Sequence, residues 1–391
     1  MNRWVERVAA ALGIWALFLT TGCGTFFIYP GNLPGGGSSS TGDYVYVANA
    51  NTSTVAGFVV GTGTLTAVSG SPYALGFVPT AVVVNPANTI VLVAGSNGVF
   101  GFINAYSIGS GGTLSLLKSN NLGAAGEVSI DVSPDGNWLV GLDANGPALN
   151  EVLVDEYQIN ASTGQLTLAT GGSYTFPTGT ATIVPSGVRF APNADYVFVA
   201  AGTAGDVEFN FNTNGGALTS NQRITLASGF SDNAVTVSAN SSYLYAARSG
   251  SGTGGAAGLA AYTIGSGGVL TSVSGTPIAA GSQPFSVVVN SAGTNVYVAN
   301  QIDGTISGYS VGSAGALTQL SGSSYTSGSQ VDALAIDNSK TYLLAAARNG
   351  SADLTMYSFD SSVAGKLDPS TTATTGNGTE PAGAIAIATT H

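Results

Sequence analysis

Two charges stand where a repeated strand pattern asks for apolar residues. Asp131, in SIDVSP from Ser129, and Arg189, in GVRFAP from Gly187, fall at one position of a recurring segment whose other copies carry Val83, Thr236, Val288 and Ala335. An isolated charge is costly to bury, so the two are expected to be matched. They form either a salt bridge between neighbouring strands or a working couple, in which Asp131 is base or ligand and Arg189 orients a bound molecule.

Other chemistry is narrowed by what the chain contains. His391 is the only histidine and the last residue, a place expected to fray, and Cys23 is the only cysteine. That leaves no Ser-His-Asp or Cys-His machinery and no zinc site of the His or Cys type, so any general base must be a carboxylate. The acidic run EVLVDEY, Glu151 to Tyr157, lacks the spacing of a calcium loop and is expected to be a solvated strand face. GSGTGG from Gly250 and GSGG from Gly265 lack the strand-to-helix setting of a phosphate cradle and read as turns. No metal or cofactor is expected.

The elements that position these residues follow from repeats. A Gly-x-Leu turn recurs at Gly63, Gly112, Gly164, Gly216, Gly268, Gly315 and Gly365, spaced by 47 to 52 residues. A strand rich in aromatic and β-branched residues keeps step with it, from YVYVAN at Tyr44 to YLLAAA at Tyr342. A third segment precedes six of these strands, from AVVVNP at Ala81 to ALAIDN at Ala333, and the copy missing at the start is supplied at the end by AIAI, Ala384 to Ile387. No helical period interrupts the pattern. The expected fold is all-β: a seven-bladed β-propeller with four antiparallel strands per blade, its ring closed by the C-terminal strand joining the first blade. On this register one face of the ring carries Asp143, Asp206, Asp232, Arg248, Asn300, Asp303, Asp332 and Arg348. Arg248 and Arg348 suit the oxygens of an anionic or polyol ligand, or else pair as solvated loop residues with nearby aspartates. The ligand-binding candidates are Asp143, Arg248, Asn300, Asp303, Asp332 and Arg348.

Before the repeats, Arg3 and Arg7 precede an apolar stretch from Val8 to Leu19 that ends at small residues and Cys23. This reads as an export signal, too short at about 1.5 Å per residue to span a bilayer as a helix. LTTGC, Leu19 to Cys23, resembles a bacterial lipoprotein cleavage box, with Thr20 where an aliphatic residue is usual. The resemblance implies lipidation of Cys23 and anchorage to a membrane of the cell envelope. The expected organisation is a signal peptide over 1–22, a Gly/Ser/Pro-rich tether over 23–43 and a propeller over 44–391. Removing 1–22 takes away Arg3, Arg7 and Glu6 and moves the formal charge from −11 to −12. That sign disfavours nucleic acid as a partner. A monomer is expected.

YVAN at Tyr46 to Asn49 and Tyr297 to Asn300, SPDG at Ser133 to Gly136, and the Gly-x-Leu hairpins resemble the seven-bladed lactonase family of 6-phosphogluconolactonase-like propellers and the related YVTN repeats. The resemblance covers about residues 44 to 391 and rests on turn and strand signals, which are specific to the fold and weak as to activity. It implies a sugar lactone, carbohydrate or protein ligand. The sequence favours a binding or interaction module, with a lactone hydrolase relying on carboxylates as the alternative.

Overall fold

Alternation of large and small apolar residues makes each YVYVAN-like segment a strand buried on both faces, and all seven are strands: Tyr44–Asn49, Ile90–Ser96, Trp138–Asp143, Tyr196–Ala200, Tyr243–Gly250, Asn295–Asn300 and Tyr342–Asn349. The computed structural model describes residues 42–123, 126–143, 151–177, 186–250, 257–350 and 352–391. The export signal, Cys23 and the tether up to residue 41 lie outside the described residues.

Each of these strands lies second in its own antiparallel sheet, giving seven sheets that are numbered here as blades 1 to 7 in chain order. The innermost strands of blades 2 to 7 are Val78–Val84, Glu127–Val132, Gly187–Phe190, Phe230–Val237, Pro284–Val289 and Ser329–Ile336, and that of blade 1 is Ala384–Thr389. Every inner strand packs against the next and the last against the first, so the ring is closed. Blades 1 and 6 add a two-residue fifth strand, Tyr73–Ala74 and Tyr325–Thr326. The core is divided into seven hydrophobic clusters, one per seam between neighbouring blades.

The Gly-x-Leu repeat has a backbone cause. All seven glycines have positive φ, from 67° at Gly63 to 79° at Gly112, the region where a Cβ is penalised. Each turn also leans on the preceding blade: the Tyr46 hydroxyl donates to the Gly112 carbonyl (2.8 Å), the Tyr297 hydroxyl to that of Gly365 (2.7 Å), and the Gly63 N–H to the Tyr342 hydroxyl (2.9 Å). The last of these joins blade 7 to blade 1.

Ring closure pairs Val45 with Thr389, Tyr46 with Ala388, Val47 with Ile387 and Ala48 with Ala386. The counterpart of ALAI is therefore Ala386 to Thr389, two residues beyond the expected AIAI, because Ala333 pairs with Ala346 as Ala386 does with Ala48. A shift of two keeps every side chain on its face, so the alternation could not reveal it. Ile385 and Ile387 line the channel, while Ala382, Ala384, Ala388 and Thr390 are the buried residues. His391 is not frayed: its N–H donates to Asn88 Oδ1 (2.9 Å), its carbonyl accepts from Asn88 Nδ2 (2.9 Å), and its Nε2 lies 3.2 Å from the Val84 carbonyl.

The acidic run of blade 3 is a second correction. Asp155 and Glu156 are buried rather than solvated. Glu156 faces Val140 across the strands and packs against the Gly216 turn of blade 4, at the strand position where other blades place Gly57, Ala261 or Gly308 beneath a tyrosine.

Candidate functional site: the central channel

A bulge near the start of the inner strand recurs in six blades, where one extra residue is left without a partner on the second strand. The extra residues, Thr80, Val128, Asn233, Phe285, Asp332 and Ile385, all line an upper cavity of about 730 Å³ on the ring axis. A lower cavity of about 250 Å³ includes Asp131, Arg189, Lys340, Thr389 and His391 in its wall. The two share Val82, Ile130, Leu334, Ile387 and Arg189, an apolar collar carrying one guanidinium.

Asp131 and Arg189 thus meet on the channel, on adjacent inner strands, but not as a direct ion pair. Asp131 Oδ2 accepts the Phe190 N–H of the next blade (2.8 Å), and Arg189 Nη1 donates to its own Val188 carbonyl (2.8 Å). Ion pairs among the described residues include Arg248–Asp232, Arg348–Asp332 and Lys366 with Asp360 and Asp368. Burial raises the Asp131 carboxyl above the ordinary aspartate value, and the positive charge of Arg189 opposes that rise.

The two candidate arginines differ by one register step. Arg348 donates through Nε to Asp332 Oδ2 (2.7 Å), Gln301 Nε2 holds Asp332 Oδ1 (2.7 Å), and both Asp332 and Arg348 line the upper cavity. The Arg348 side chain is 42% exposed, so part of its fork faces the channel. Arg248 forms a buried fork with Asp232 (2.6 Å to each oxygen) and reaches the Tyr262 hydroxyl (2.7 Å). Asp206 of blade 4 lies against this group, its carboxyl held well above the ordinary value by burial and by Asp232. Neither arginine is a solvated loop residue, for both sit in second strands.

The remaining candidates hold turns or seams. Asn300 donates to Thr305 Oγ1 (3.0 Å) and Ser307 Oγ (2.9 Å) and accepts the Gly281 N–H (3.0 Å), and Asn49 likewise donates to Thr54 Oγ1 (3.2 Å). The asparagine of YVAN is therefore a clamp between a strand turn and the incoming link from the neighbouring blade. Asp303 is exposed and accepts the Ser282 N–H (2.6 Å). Asp143 is buried beside Glu127, whose carboxyl is pushed well up by burial, then by Asp155 and Asp143. Among the described residues no three or more His, Cys, Asp or Glu side chains are arranged to hold a metal ion.

Gln301 and Lys340 are a channel partner and a channel residue that sequence reasoning passed over, and His391, expected to fray, is held in the channel wall. The bulge was missed as well, because the residues it leaves unpaired just before five of the AVVV-like segments, Thr80, Val128, Asn233, Phe285 and Asp332, share no residue type that would mark it.

Fold and channel together define a closed seven-bladed propeller with a polar, solvent-accessible axis. The family model for "Lactonase, 7-bladed beta-propeller" matches residues 129–323 and 275–385, and the chain belongs to this family. Among solved structures, a candidate 6-phosphogluconolactonase from Bacteroides fragilis is 15% identical with a TM-score of 0.70, covering 91% of this chain and 100% of its own. The periplasmic gluconolactonase of Pseudomonas aeruginosa is 14% identical with a TM-score of 0.66, covering 85% of this chain and 98% of its own. At such identities the likeness is one of fold. No curated protein gives a sequence match.

Proposed function

We propose that this chain is an exported, lipid-anchored propeller that holds a small polar ligand of the sugar-lactone or sugar-acid kind in its upper channel cavity. The observation that carries the reading is the placement of two guanidinium groups along one cavity, Arg348 near Asp332 and Arg189 in the collar, with Thr80, Ser129 and Asn233 among the lining. Guanidinium forks match carboxylate oxygens, and hydroxyl and amide groups match a polyol. Cavities of this size and mixed lining suit small molecules. Calorimetric titration with glucono-δ-lactone and gluconate is expected to show binding that Arg348→Met weakens by about tenfold, the value of one charge-assisted hydrogen bond. No heat with either compound overturns the reading.

A second reading, lactone hydrolysis, is favoured by Asp131. Its raised carboxyl borders the channel beside a cation, the setting of a general base with an orienting charge. Proton release from a lactone panel in a pH-stat, abolished by Asp131→Asn at unchanged stability, supports it, and activity indifferent to that change sinks it.

Anchorage is proposed from the LTTGC match alone, with palmitate labelling of wild type but not Cys23→Ser as its test. Asp43 accepts the Asn338 and Ser339 N–H groups (3.1 Å each), in the turn after the inner strand of blade 7. The first described residues therefore lie on the lower face, on the side opposite the upper cavity.

A further inference from the structure

Positive charge is concentrated at the lower mouth of a chain that has little of it. Nine Lys and Arg face twenty Asp and Glu in the sequence, yet Arg189, Lys340 and the sole histidine line one cavity of about 250 Å³. Lys340 occupies positive φ (61°) in the turn that follows the inner strand, a place that other blades give to Asn88, Gly136, Ala194, Ser241 and Gly293, all of them shorter side chains. A side chain there carries a backbone penalty, and such penalties gather at functional positions. Among the described residues the Arg189 guanidinium donates to one acceptor, the carbonyl of the preceding Val188. His391 is fixed at the mouth by Asn88 and Val84. The acids nearby are Asp131, which shares the cavity, feels the Arg189 charge and has one oxygen on the Phe190 N–H, and Asp337 and Asp43, which act on Lys340 without lining the cavity.

We propose that the lower mouth is a second site, below the upper cavity and sharing only the collar with its Arg189 guanidinium, for a compact oxyanion of the phosphate kind, held by Arg189 and Lys340 with the His391 ring as an additional donor. The guanidinium fork and the ammonium point charge suit phosphate oxygens, and the walls of Val84, Val289 and Ile336 shelter them from bulk water. The same chemistry is offered by free phosphate and by a lipid headgroup.

The lone imidazole is a built-in reporter. Burial and the Lys340 charge hold its pKa below the ordinary value, and a bound anion must raise it. In the untagged full chain, NMR titration of the His391 ring protons is expected to show saturable shifts with inorganic phosphate and a higher imidazole pKa in its presence. Lys340→Met is expected to weaken phosphate about tenfold while leaving gluconate binding in the upper cavity unchanged, and Lys340→Arg to retain phosphate. A His391 signal that phosphate does not move overturns the site, as does equal affinity in Lys340→Met. Sedimentation of the Cys23→Ser chain with phosphatidylglycerol vesicles separates the sources: Lys340-dependent retention identifies a headgroup, and no retention identifies a free anion.

Discussion

At the scale of single residues, Arg248 and Arg348 show that one register step changes what a charge does. Arg248 is pinned within blade 5 by Asp232 and Tyr262, against Asp206 of blade 4, whose carboxyl burial and Asp232 hold well above its ordinary value. Removing the guanidinium leaves Asp232 a buried, unpaired charge. Arg248→Met is therefore expected to cost about 3–5 kcal/mol in urea denaturation. Arg348→Met, whose side chain is 42% exposed, is expected to cost clearly less, because Gln301 still donates to the Asp332 carboxylate left behind. Equal losses in the two variants contradict the assignment of one to the seam and the other to the channel. The sequence placed both residues on the ligand face but could not separate them, because the bulge that turns Asp332 toward the axis adds one residue to one strand only. Asp131 and Arg189 were legible as exceptions to an apolar column, and the structure sets both on the channel. Their hydrogen bonds to Phe190 and Val188 were not legible, since they depend on the offset between blades.

At the scale of strands and seams, Glu156 and Glu208 place ionisable groups inside the wedge between blades. Both are fully buried, and neither Glu156 oxygen has a protein partner. Burial raises Glu156 from 4.5 to about 8 and Glu208 from 4.5 to about 7. The folded state thus keeps protons that the unfolded chain releases near its ordinary glutamate value. Stability must fall as pH rises from about 4.5 and level off once each folded pKa is passed. Urea midpoints are expected to decline between pH 5 and about 8 in wild type, and Glu156→Gln to flatten the part of the decline above pH 7. A slope unchanged by that substitution places the proton elsewhere. Glu156 reads from the sequence as part of a solvated face because a strand buried on both sides has no polar face to show, and EVLVDEY only mimics one.

At the scale of the whole molecule, the ring depends on its ends meeting. The seven glycine turns and seven buried strands were readable because each is forced locally, by positive φ or by β-branched packing. The exact register of the last strand was not, since a two-residue slip preserves every face. The observed closure leans less on isoleucine burial than on backbone pairing, with Tyr44 N donating to Thr390 Oγ1 (2.9 Å), Thr390 N to the Tyr44 carbonyl (3.0 Å), and Thr389 Oγ1 to the Ile336 carbonyl (2.8 Å). Those bonds fasten blade 1 to its own tail and the tail to blade 7, while His391 reaches blade 2. A chain stopped at Glu380 loses all of them together with the innermost strand of blade 1, leaving Val45, Tyr46 and Val47 with an unpaired edge. Its urea transition is expected to lose the single cooperative step of the full chain, read by near-UV circular dichroism. A circular permutant that joins His391 to Asp43 and opens the exposed turn at Thr213 to Gly215 keeps every one of those pairs within a continuous chain. It is expected to unfold in one step near the wild-type midpoint, since the ends it joins already lie side by side. A truncated chain as cooperative as the permutant means that the seams alone hold the ring.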